Sequence, residues 1–125
     1  VQEVNFAENA RALTYQPSTG TLTTTILSAG TITETSSIAL KENLNPINNA
    51  LDAISNLNAF VYDRKDGSNY NEAGLIAEEV YEVLPNVVSL DEEGKPYGIQ
   101  YSRLFPFLVE SIKQLKEELA NIKRN

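Results

Sequence analysis

The sequence predicts an α+β chain: a short β-rich N-terminal segment, then small antiparallel sheets mixed with helices, then a long closing helix. Three observations carry that expectation. Residues 1–35 are rich in threonine, serine and glycine, with apolar and β-branched residues in short alternating bursts. From residue 41 the apolar residues recur first at helical spacing and then in strand-like runs bounded by glycine and proline. After Ser102 a single apolar seam continues nearly to the end of the sequence.

The elements follow in order. In "ALTYQPSTGTLTTTILSAGTITETSS", Pro17-Ser18-Thr19-Gly20 and Ala29-Gly30 mark tight turns between short strands. Few large apolar residues lie here, so the stretch buries little core alone. It is the end of a β-rich neighbour, or strands that pair with another chain, or a partly ordered linker. Asn45-Pro46 reads as a helix start, with asparagine as N-cap and proline at the first helical position. Leu44, Ile47, Leu51, Ile54 and Leu57 then form one apolar face of about three turns. Residues 59–62 suit a strand and Asp66-Gly67 a turn. "GLIAEEVYEVLP" begins extended and becomes a short helix near Ala77, stopped by Pro85. "NVVSLDEEGKPYGIQY" reads as a hairpin of residues 87–90 and 97–101 around Glu93-Gly94. The closing helix, expected over 103–124 with Ser102 as N-cap, carries Leu108, Ile112, Leu115, Leu119 and Ile122 as an a/d seam of about two heptads. Pro106 falls in its tolerant first turn, and charged pairs such as Lys113 with Glu117 fill the outer faces. Two heptads are marginal for an isolated helix pair. The seam therefore packs on its own chain or zips with copies of itself.

Composition narrows the chemistry. At 125 residues the sequence holds one domain with a modest core plus an appendage. A net charge of −7 argues against nucleic acid or an anionic membrane surface as partner. No apolar run is long enough to span a bilayer, and the first residues carry no signal-peptide pattern. The absence of cysteine excludes disulfides, thiol catalysis and zinc–thiolate sites, and the absence of histidine excludes a Ser-His-Asp triad. Lysine and carboxylates remain as bases. No cofactor and no metal is expected.

Within "TETSSIALKENL", Ser36 stands five residues before Lys41. A serine hydroxyl is a weak nucleophile until a base takes its proton, and a lysine amine serves once its charged form is disfavoured by burial or a nearby cation. The spacing lets the two side chains meet across a turn, and the helix start at Asn45-Pro46 offers N–H groups for an oxyanion. Ser37 competes for the nucleophile's role, and such pairs also arise incidentally. Glu79 either orients Lys41, binds a neighbouring chain or lies on a solvated helix face. Gly74 permits a close backbone approach or a positive φ, or is a plain loop glycine. Asp91, Glu92 and Glu93 lack calcium-loop spacing and suit a solvated turn. Tyr62, Tyr70, Tyr81, Tyr97 and Tyr101 suit core or interface packing. Phe105 and Phe107 suit anchors for the last helix.

Read together, "SSIALKENL", "GLIAEEVYEVLPNVVSLDEEGKPYGIQY" and "LFPFLVESIKQLKEELANI" resemble the C-terminal intramolecular chaperone domain of phage tailspikes, tail fibres and neck appendages, the endosialidase-type chaperone or peptidase S74 family. The likeness spans roughly residues 36–125. It implies a homotrimeric folding helper whose last helix forms a trimeric coiled coil, and which cuts itself from its own upstream chain. Residues 1–35 would end the fibre and 36–125 would be the removable chaperone. Thr35–Ser36 would be the scissile bond, Ser36 the nucleophile and Lys41 its base, with Asn43 and Glu79 as candidate supporting residues. Ser37 and Ala39 stand where the family usually has aspartate and arginine, which bears on the rate, and Glu78 replaces its usual glutamine. A chain crossing that bond is an uncut precursor, a slowly cut one or two associated fragments. The resemblance implies assembly in host cytoplasm, with the fibre part on the virion tail and the helper released or loosely held. The competing readings are a trimerisation module that never cuts and a receptor-binding tip, with a hydrolase acting in trans the weakest.

Overall fold

The computed structural model describes residues 13–124, which divide between Asn43 and Leu44 into two units. In the first, β1 (Leu13–Gln16) and β2 (Thr21–Thr24) form an antiparallel hairpin with Leu13 opposite Thr24 and Gln16 opposite Thr21. Its turn is the Pro17-to-Gly20 signal, closed by Gly20 N–H donating to the Gln16 carbonyl at 2.8 Å. The second turn signal, Ala29-Gly30, joins no strands: residues 25–37 are extended without ladder partners. A strand needs a neighbour to pair its backbone groups, and here Ile26, Leu27 and Ile32 stand exposed instead. A single 3₁₀ turn, Ile38–Leu40, follows.

The second unit carries α1 (Ala50–Ser55), β3 (Phe60–Tyr62), β4 (Glu72–Gly74), α2 (Ala77–Val83), β5 (Val88–Leu90), β6 (Pro96–Ile99) and α3 (Phe105–Arg124). The sheets are two antiparallel hairpins. β3 pairs β4 with Phe60 opposite Gly74 and Tyr62 opposite Glu72, and β5 pairs β6 with Val88 opposite Ile99 and a bulge at Ser89/Leu90. The core is small: Val80, Leu84, Val87, Val88 and Leu104 are buried, backed by Ile54, Leu57, Leu75, Ile99 and Phe107.

Two helix starts differ from expectation. The first helix does not begin at Asn45-Pro46, and it has six residues instead of about three turns. Asn49 sits in the left-handed region at φ 58, a conformation that asparagine tolerates and that breaks any helix running into it. Its side chain makes no cap, so the free N–H of Leu51 is satisfied from another element: it donates to Gln114 Oε1 on α3 at 2.9 Å. Ser102 is likewise not the N-cap of the closing helix; it lies inside a 3₁₀ turn, Tyr101–Leu104, that leads into α3 at Phe105.

α3 presents two neighbouring faces. Leu104, at the end of the 3₁₀ turn, is buried with Ser111, while Phe107 and Gln114 are half-buried. The heptad seam lies on the other face and stays open, from 41% exposed at Leu108 to 70% at Ile122. Lys113 pairs with Glu110 at 3.1 Å, one turn back, rather than with Glu117. Ser111 brings a hydroxyl into the interior with no hydrogen-bond partner, a costly arrangement.

Gly74 is set by close approach, not by a positive φ. A Cβ there would lie 2.8 Å from the Tyr101 hydroxyl and 2.9 Å from that of Tyr62. The Tyr101 oxygen also accepts the Leu75 N–H at 2.9 Å, tying the exit of β4 to the turn before α3. Asp91 turns the β5–β6 hairpin, its Oδ1 accepting from the N–H groups of Glu93 and Lys95, both at 2.9 Å.

Leu104→Ala is expected to cost about 2–5 kcal/mol of stability by opening a cavity in the core. Ser111→Ala is expected to be neutral or stabilising by up to about 1–3 kcal/mol, since it removes an unpaired buried hydroxyl. Urea unfolding followed by circular dichroism at one protein concentration measures both.

Candidate active site

Ser36 and Lys41 meet. Lys41 Nζ donates to Ser36 Oγ at 2.5 Å, and the 3₁₀ turn between them makes the contact. The turn forms because Ser37 enters it in extended conformation, φ −65 and ψ 144, and its Oγ accepts the Ala39 N–H at 3.2 Å. Leu40 N–H then donates to the Ser37 carbonyl at 3.0 Å and Lys41 N–H to that of Ile38 at 3.1 Å. Lys41 leaves the turn extended, at φ −126 and ψ 148, and its side chain folds back to the serine. Of the two adjacent serines, Ser36 faces the lysine while Ser37 is engaged with the turn's own backbone.

The pair is open to solvent in the single chain: Thr35, Ser36, Ser37 and Lys41 are all exposed. Asn43 follows with φ 54. Glu79, on α2, is half-buried and takes the Asn58 amide at 3.5 Å. The helix start expected beside the pair at Asn45-Pro46 does not exist, so an oxyanion has no donor of that origin. Chemically, the pair can do one thing well. With the amine unprotonated, the hydrogen bond reverses, the hydroxyl donates to nitrogen, and the serine becomes a nucleophile.

A second polar cluster, which sequence reasoning did not single out, lies across the β3–β4 hairpin. Glu72 accepts from the Tyr62 hydroxyl at 2.7 Å, from Arg64 at 2.6 Å and from the Asn69 amide at 2.8 Å. The Arg64 guanidinium also lies 5.9 Å from the centre of the Tyr62 ring. These donors hold the Glu72 carboxyl at about 2, Arg64 contributing most, then Tyr62 and Asn69. The available signal was an opposite-charge pair, Arg64 and Glu72, flanking the Asp66-Gly67 turn. With Tyr97, Tyr101 and Glu78 this cluster lines a shallow cleft of about 360 Å³. Its polar groups are already committed to one another, and its role is to brace the hairpin.

Fold and site together define a small α+β appendage: a slight body, an uncovered heptad face on its last helix, and a Ser-Lys pair on a turn ahead of it. Residues 36–89 match the peptidase S74 family, described as "Chaperone of endosialidase", and this part of the chain belongs to that family. The chain is also similar to the long tail fiber protein Gp37 of Enterobacteria phage K3, at 33% identity over 94 residues, or 70% of this chain and 8% of the relative. The long tail fiber protein Gp37 of Enterobacteria phage T2 matches at 33% over 94 residues, again 70% of this chain and 7% of the relative. The chain thus spans less than a tenth of the length of these fibre proteins. No helix of the described residues is long and apolar enough to cross a membrane.

The depressed Glu72 pKa has a direct consequence. Its stabilisation is complete above the unfolded carboxyl value of about 4.3 and is lost as pH falls through about 2. The β3–β4 hairpin is expected to loosen over that window, read as falling amide protection of residues 60–74. Glu72→Gln is expected to remove the pH dependence.

Proposed function

We propose that this chain is the chaperone end of a phage tail fibre protein: it trimerises, assists folding of the fibre segment ahead of it, and frees itself by one cut at Thr35–Ser36. The observation that carries this reading is the contact of Lys41 Nζ with Ser36 Oγ across a capped turn, at the residue where the family match begins. On this reading residues 1–35 close the fibre, 36–125 form the removable helper, and the helix near 103–124 supplies the coiled coil. Assembly takes place in the host cytoplasm, and the fibre part remains on the virion tail.

The chemistry balances without a cofactor. Unprotonated Lys41 takes the Ser36 hydroxyl proton, and Oγ attacks the carbonyl carbon of Thr35, its own preceding residue. The carbonyl–nitrogen bond breaks, the proton passes to the departing Ser36 nitrogen, and Thr35 is left as an ester on Oγ. Water then hydrolyses the ester to a Thr35 carboxylate and a free serine hydroxyl. Lysine acts as base only when its charged form is disfavoured, and burial is one means of doing so. The single chain leaves Lys41 exposed. A neighbouring copy closing over the turn would supply the burial, so that cutting follows assembly.

The folding role has a physical basis. Parallel fibres pair strands of distant register slowly. Three helices joined at Leu108, Ile112, Leu115, Leu119 and Ile122 would hold the three chains at high local concentration and in common register. Removing the helper afterwards leaves the fibre kinetically trapped. The exposure of the Ser-Lys pair favours one second reading, a trimerisation module that never cuts.

Intact-mass analysis of a chain carrying the preceding fibre segment separates the two. Wild type is expected to break at Thr35–Ser36, and Ser36→Ala and Lys41→Ala are each expected to stay whole. A wild-type chain that forms trimers and remains intact under folding conditions for days is the non-cutting module. Ile112→Asp with Leu115→Asp is expected to convert a trimer to monomer in analytical ultracentrifugation; a monomeric wild type removes the assembly role.

A further inference from the structure

The turn that joins Ser36 to Lys41 has little to hold it besides its own hydrogen bonds. Ile38 and Leu40, its apolar residues, are 67% and 69% exposed, so packing within the chain does not set its shape. Two of its bonds run from backbone to backbone, Leu40 to Ser37 and Lys41 to Ile38. The third, from Ala39 N–H to Ser37 Oγ, comes from a side chain and caps the first free N–H of the turn.

We infer that Ser37 is a positioning residue: by capping the 38–40 turn it holds Lys41 against Ser36. The inference rests on the Ser-Lys reading for its kinetic consequence, but its geometric content stands apart from it. Ser37 touches neither the scissile carbonyl nor the lysine amine. It acts through the backbone, selecting the turn from the many conformations open to an exposed segment. Without the cap the turn frays, Lys41 spends less time at Ser36, and the cut slows in proportion to the lost population.

Two readouts test this. The first is the first-order rate of the Thr35–Ser36 cut in the full chain with its fibre segment. Ser37→Ala is expected to be about 2- to 30-fold slower, the range that losing such a cap produces, with trimer content unchanged. Ser37→Asp and Ser37→Asn, which accept the same hydrogen bond, are expected to restore a rate near wild type. That rescue separates capping from a nucleophile's role for Ser37, which neither residue could fill. The second readout is the nuclear Overhauser contact between the Lys41 ε-methylene and the Ser36 β-methylene, expected in wild type and Ser37→Asp and absent in Ser37→Ala. If the contact survives Ser37→Ala, or that variant cuts at the wild-type rate, the inference is overturned while the peptidase reading stands. If wild type does not cut, yet the contact disappears in Ser37→Ala and returns in Ser37→Asp, the positioning role stands and the peptidase reading falls.

Discussion

The second unit depends on how α3 divides its surface. A helix with two contact faces can turn one of them toward its own chain, and α3 turns the more polar. Gln114 on that face closes the N-terminus of α1 by accepting the Leu51 N–H, and Ser111 beside it is buried without a partner. Remove this docking and α1, which is only six residues long and has no side-chain cap, loses its reason to be helical. The apolar heptad face is left outward as a consequence. A short chain that places hydroxyl and amide groups inside and five large aliphatic residues outside has an arrangement that suits a surface shared with copies of itself.

The same economy governs the first unit. Between β2 and the 3₁₀ turn the backbone runs extended, and Ile26, Leu27, Ile32, Ile38 and Leu40 are all well exposed. Such a segment has no core to order it, so its local hydrogen bonds decide where the side chains go. The Ser36–Lys41 contact arises there, on the chain's least packed stretch. In the proposed cycle that placement makes sense: a site exposed in one chain and covered by neighbours would stay idle until assembly. The body behind it holds itself together by other means, chiefly the Val80–Val87–Leu104 core and the Glu72 cluster bracing the β3–β4 hairpin.

Much of this was legible in the residues because the signals were local. The Pro17-to-Gly20 turn, the Asp66-Gly67 turn, the helix at Ala77 ended before Pro85, and the hairpin around Glu93-Gly94 all depend on backbone preferences of neighbouring residues. The pairing of Ser36 with Lys41 belongs with them, since a five-residue spacing closes over one turn. Asn45-Pro46 misled because a good cap sequence does not form a helix when Asn49, four residues on, adopts a left-handed conformation. Ala29-Gly30 misled because turn residues make a hairpin only where strands find partners. The Glu72 cluster was missed because its donors, Tyr62, Arg64 and Asn69, come together only after the hairpin has chosen its register.

The sequence by itself determined the α+β class, the turns, the absence of thiol and imidazole chemistry, and the serine and lysine that can meet. Those follow from composition and from conformational preferences that act over a few residues. Tertiary structure decided which serine faces the lysine, where the first helix starts, and which face of α3 lies inside. Periodicity reveals that a helix has an apolar stripe, but not what will cover it. Here Gln114 and Ser111 took the interior beside Phe107 and Leu104, because the hydrogen-bonding needs of α1 and the shape of a small core outweighed the pull of the stripe that spacing alone marks out.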